Sequence, residues 1–110
     1  MRMVCISDTH NRHRELTLPS GDVLIHAGDA CLRGTLEEFI AFANWFGAQP
    51  HPYKLFVPGN HDFCVERDAA LCRNLLTKAG ARLLIDQAVT INGVKFYGSP
   101  WVPNLSGSAF

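Results

Sequence analysis

The chain has 110 residues, 47% of them apolar, which is enough for one compact domain and excludes wholesale disorder. Ten Lys and Arg residues balance ten Asp and Glu, so no net field draws the chain to a nucleic-acid polymer or an anionic membrane. An anionic substrate would need local partners instead, a metal ion or individual arginines.

The apolar run at residues 3–6 predicts a short strand with Cys5 as a small core residue. A charged loop from Asp8 to Glu15 follows, and its polar composition puts His13 in solvent. A second strand is expected over 23–27, with His26 as a hydrogen-bonded core histidine. Neither run alternates strictly, which suits strands covered on both faces. Thr35 and Glu38 have capping-box spacing and open a helix. Its core-facing stripe reads Leu36, Phe39, Ile40, Ala43 and Phe46, and Gly47 is placed to end it in a left-handed conformation. Trp45 and Phe56 read as further core aromatics. His51, between Pro50 and Pro52, predicts an exposed turn before a third strand over 53–57. A second helix is expected over about 67–79, with Leu71, Leu75 and Leu76 inward and Gly80 as its stop. A short strand over 81–85 then precedes a hairpin turning on Asn92-Gly93. Residues 98–110, rich in Gly, Ser and Pro, predict no regular element.

Three polar clusters each follow an apolar run directly: Asp8-Thr9-His10, Gly28-Asp29 and Gly59-Asn60-His61-Asp62. Each alone also reads as a turn or a helix cap. Together they place carboxylate, imidazole and amide donors at the tips of successive strands, where open α/β sheets gather site residues. The four cysteines, Cys5, Cys31, Cys64 and Cys72, show neither C-x-x-C nor zinc-finger spacing. No leader-like segment and no apolar stretch near the ~18 residues of a membrane span is evident. The reading is a soluble, cytoplasmic protein with free thiols. No G-x-G-x-x-G follows the first strand, which weakens a dinucleotide-binding reading.

The segments V-C-I-S-D-T-H, G-D-V-L-I-H-A-G-D, V-P-G-N-H-D and Y-G-S-P-W resemble the calcineurin-like metallophosphoesterase superfamily. Within it they are similar to the branch that includes the human metallophosphoesterase-domain proteins. The resemblance implies an α/β fold, with residues 1–110 forming a single partial domain, the N-terminal half of an αββα sandwich. It also implies that Asp8 and His10 bind a first metal, Asp29 bridges two metals and Asn60 binds the second. His61 would be catalytic, touching the phosphate and assisting the leaving group beside Asn60. Arg33 would contact substrate or brace its loop, and Asp62 would be structural.

The implied activity is hydrolysis of phosphomonoesters or phosphodiesters, cyclic nucleotides among them, at a dinuclear centre. An oxygen and nitrogen donor set suits Mn, Fe, Zn or Co. The family's later histidine motifs have no counterpart after His61, so the expectation is a fragment or short form of a longer enzyme. Its second ion would keep only Asp29 and Asn60 and bind weakly. The alternative is an inactive metal- or nucleotide-binding scaffold. A half sandwich also predicts an exposed sheet face that favours homo-oligomers or strand exchange.

Overall fold

The computed structural model describes residues 1–101 and 109–110. Strands β1 (Met3–Ile6), β2 (Val23–His26), β3 (Tyr53–Phe56) and the two-residue β4 (Arg82–Leu83) form a parallel sheet in the order β1-β2-β3-β4. Val4 pairs with Leu24, Ile25 with Leu55 and Phe56 with Leu83. Helix α1 (Leu36–Ala48) joins β2 to β3, and α2 (Phe63–Arg67) with α3 (Ala69–Lys78) joins β3 to β4. A 3₁₀ turn, His13–Glu15, lies in the loop after β1. β5 (Gln87–Ile91) and β6 (Val94–Gly98) form a separate antiparallel hairpin.

Alternation along the strands divides the core in two. One face of the sheet sets Val4, Leu24, Phe56 and Leu83 against Phe39, Phe42 and Phe46 of α1 and Leu76 of α3. The other sets Val23 and Leu55 against Ile91, with Val89 and Phe96 at the margin. The layers are helices, parallel sheet and hairpin, the N-terminal part of the expected sandwich. No helix among the described residues is long and apolar enough to cross a membrane.

Local chemistry explains the elements and several departures. Both legs of the capping box form: Glu38 N donates to Thr35 Oγ1 at 3.2 Å, and Thr35 N donates to Glu38 Oε1 at 3.1 Å. Asn92 (φ 50°) and Gly93 (φ 79°) both adopt positive φ, as a two-residue hairpin turn of this type requires. The buried stripe of α1 is Phe39, Phe42, Ala43 and Phe46, whereas Leu36 and Ile40 stay about two-fifths exposed on its flank, at 39% and 40%. Gly47 does not end α1. It lies inside the helix, where a Cβ would sit 2.5 Å from the carbonyl oxygen of Ala79, the residue that caps the end of α3. The end of α1 is held by Lys54, whose Nζ donates to Gly47 O at 2.8 Å.

The expected helix over 67–79 breaks at Asp68, whose Oδ1 accepts from Leu71 N at 3.1 Å and caps α3. Leu76 and Cys72 face inward, Leu75 is half-buried and Leu71 is exposed. Cys5 is exposed rather than core, because β1 is the outermost strand and only its Val4 side faces the helices. His51 is buried, held by Nε2 against the Pro19 carbonyl oxygen at 2.9 Å. His13 is buried too: the 3₁₀ turn leaves the Arg12–Glu15 ion pair outside and directs the imidazole against Phe42 and Trp45. The prediction of no regular element falls partly on residues 102–108, outside the described residues.

Candidate metal centre

Parallel strands end at one edge of the sheet, so the loops after β1, β2 and β3 emerge side by side. Main-chain bonds lock the first to the second: Asp8 N donates to Gly28 O at 2.8 Å, His10 N to Asp29 O at 2.9 Å and Asn11 N to Ala30 O at 2.7 Å. The second and third approach so closely that a Cβ on Gly28 would lie 2.8 Å from Gly59 Cα. Gly28 also takes φ +110°, which a side chain would resist.

Asp62 organises the junction without facing the cavity. Its fully buried carboxylate accepts from Asp29 N and Gly59 N at 2.8 Å and from Cys31 N at 2.9 Å. Burial pushes its carboxyl up, and these three amides pull it part of the way back. The structural part expected of Asp62 is what the loops display.

The remaining polar groups converge. His10 Nε2 lies 3.6 Å from Asp8 Oδ1 and 3.9 Å from Asp29 Oδ2. Donor atoms of His10, Asp29 and His61 all lie within 4.8 Å of one another. The two imidazoles meet edge to face, with centroids 4.9 Å apart. His10 Nδ1 faces the Cys31 carbonyl oxygen at 3.3 Å, and His61 Nδ1 faces that of Leu32 at 2.9 Å. A carbonyl only accepts, so both rings carry their proton on Nδ1 and leave Nε2 bare in the neutral state. His61 N also donates to Asp29 Oδ1 at 2.9 Å.

The Asn60 amide edge lies 3.1 Å and 3.0 Å from the two Asp29 oxygens. With its nitrogen inward it donates to both. With its oxygen inward the group becomes a cluster of acceptors that a cation would hold together. Asp8 completes the cluster at the solvent side, where its hydrogen bond with Ser7 holds its carboxyl below the usual range against partial desolvation.

Backbone strain concentrates here. Asp8, His10, Asn11 and Asp29 adopt φ of 55°, 44°, 65° and 59°. Each such non-glycine conformation costs about 1–3 kcal/mol and persists where the surroundings over-determine it. A carboxylate–imidazole–amide cluster held under strain fits a divalent cation.

Asp8, His10, Asp29, Asn60 and His61 thus form one group, whereas Arg33 is exposed and, among the described residues, only its backbone N–H is engaged, with Glu38 Oε1 at 3.0 Å. Asp8, Asp29 and Asn60 border a cavity of about 190 Å³ whose far wall includes Ser99 and Trp101. A more open hollow of about 610 Å³ runs from Asp8 and His10 to Arg12 and Leu32. Sequence reasoning gave His61 no part as a metal ligand and gave Trp101 no part at all. The adjacency of His61 to Asn60 was the available signal for the first, and nothing local marked the second.

A family model described as calcineurin-like phosphoesterase matches residues 1–99. The chain belongs to that family. A UPF0046 protein of Caenorhabditis elegans is 41% identical, the match covering 100% of this chain and 42% of that protein. Human metallophosphoesterase domain-containing protein 1 is 36% identical, covering 99% of this chain and 40% of its own length. The chain therefore spans about two-fifths of the length of these relatives. Both similarities agree with the metallophosphoesterase branch read from the motifs.

Proposed function

We propose that this chain supplies the first metal site and part of the second in a metal-dependent phosphoesterase acting on phosphomonoesters or phosphodiesters, with cyclic nucleotides among the candidates. The observation that carries this reading is the meeting of Asp8, His10, Asp29, Asn60 and His61 at one sheet edge. Asp8, His10 and Asp29 would hold one divalent cation, and Asp29 with Asn60 would contribute to a second. The oxygen and nitrogen donors favour Mn, Fe, Zn or Co. When bound, such ions supply charge neutralisation at phosphoryl oxygens and acidify water for in-line attack.

The chain's own groups do the rest. Asp29, its carboxylate held by His61 N and its backbone N–H by the Asp62 carboxylate, would be the ligand common to both ions. His61, anchored through Nδ1 to Leu32 O, presents Nε2, from which a protonated ring gives its proton to the leaving oxygen. General acid assistance of this kind contributes about 10²–10⁴-fold. Arg33, exposed beside the site loops, is proposed as a substrate contact. Free thiols suit a cytoplasmic setting.

The test combines calorimetric titration of Mn(II) with hydrolysis of bis(p-nitrophenyl) phosphate. One moderate site and a weak second are expected, because only two candidate ligands among the described residues serve the second ion. Asp29→Asn should lower turnover by at least about 10²-fold, since losing even a ligand's hydrogen-bond partner costs 10–100-fold. Absence of Mn(II) binding overturns the reading. Binding without turnover favours the scaffold alternative, which the sparse second ligand set supports.

A further inference from the structure

His26 ends β2 inside an aromatic cluster, its ring centroid 4.9 Å from that of Phe42 and 5.4 Å from that of Phe56. A phenyl ring would suit this fully buried place better than imidazole, whose nitrogens must both find partners. They do. Gly28 N donates to Nδ1 at 3.1 Å, so the ring proton resides on Nε2, which faces Thr9 Oγ1 at 3.0 Å. Both partners adjoin candidate ligands: Thr9 stands between Asp8 and His10, and Gly28 precedes Asp29.

We propose that His26 is a positioning residue, a rigid bridge that fixes the spacing between the Asp8-Thr9-His10 loop and the Gly28-Asp29 loop. This rests on the metal reading above. The ring never reaches the cavity; it acts through Thr9 and Gly28. Strain sharpens the need for it, because Asp8, His10 and Asp29 all hold positive φ and would relax toward ordinary backbone if released.

The experiment measures Mn(II) affinity beside the thermal midpoint of the metal-free chain for the parent, His26→Phe, Thr9→Val and Thr9→Ser. Phe keeps the aromatic packing and removes both bonds. Val keeps the shape of Thr9 and removes one, and Ser restores the hydroxyl. The bridge predicts about 10–100-fold weaker Mn(II) binding for Phe and Val, with Ser near the parent. Thr9→Val is the decisive arm should His26→Phe fail to fold. Equal affinity in all four overturns the proposal and leaves the metal reading intact. So does a loss that merely tracks the midpoint and is not rescued by Ser. A parent chain that binds no Mn(II) overturns both. Independently of metal, long-range ¹H–¹⁵N NMR should find His26 neutral with its proton on Nε2, and the Nδ1–H form would refute the bridge.

Discussion

Asp62 shows how one residue can set a site without entering it. Its two oxygens share three amide donors at 2.8–2.9 Å from Asp29, Cys31 and Gly59. In Asp62→Asn, whichever way the amide turns, an NH₂ must face at least one of those N–H groups. A buried donor left without an acceptor costs about 1–3 kcal/mol, so urea unfolding should register a loss of that size. A change under about 0.5 kcal/mol, typical of uninvolved surface positions, would contradict this role. Carboxylate, imidazole and amide groups directly after apolar runs made Asp8, His10, Asp29, Asn60 and His61 legible in the sequence. Its polar neighbours misplaced His13, because composition does not reveal which side chain a 3₁₀ turn sends inward. His51 was misread for the same reason, its acceptor being the distant Pro19 carbonyl oxygen.

At the scale of elements, local signals read well where the chemistry is local. The Thr35–Glu38 box and the Asn92-Gly93 turn are each complete within four residues. Asp68, by contrast, caps α3 from inside an apparently continuous helical period, and Gly47 answers to Ala79 on another helix. The docking of α1 is also tertiary, since Phe42 packs against both His13 and His26. Burial depresses His26 to about 3, with Asp8 opposing, and depresses His13, with Arg14 assisting. Between the unfolded value near 6.5 and these lower folded values, the unfolded chain binds more protons. Stability is therefore fully present above about pH 6.5 and falls as pH drops toward the folded values, by up to about 1.4 kcal/mol per unit for each histidine. Asp62, raised, acts in the opposite sense near pH 4. Urea midpoints should decline from pH 7.5 to 5, and less steeply in His13→Phe. A flat profile in the parent would show that these rings titrate freely in the folded chain.

For the molecule as a whole, the order of elements announced a parallel sheet with crossover helices, and the family resemblance announced the sandwich. The sequence did not reveal that β1 lies outermost, because strand order depends on contacts between runs rather than on any run itself. That placement has a physical consequence. Among the described residues β1 pairs with β2 alone, and its second face leaves Met3 49% exposed, with Cys5 open beside it. At this corner the tip of the hairpin brings Asn92 to 3.9 Å from the Met1 sulfur. Within Met3–Ile6 there is no charge, proline or bulge, the devices that keep edge strands from pairing with other chains. We therefore expect copies of this chain to associate through β1. Sedimentation velocity should show species heavier than the monomer that grow with concentration. Met3→Lys, which puts a charge on the open face without touching Val4 or the helices, should return the chain to monomer. A parent that stays monomeric at high concentration, or a Lys variant that associates as before, would mean that the twist of a four-residue strand is protection enough.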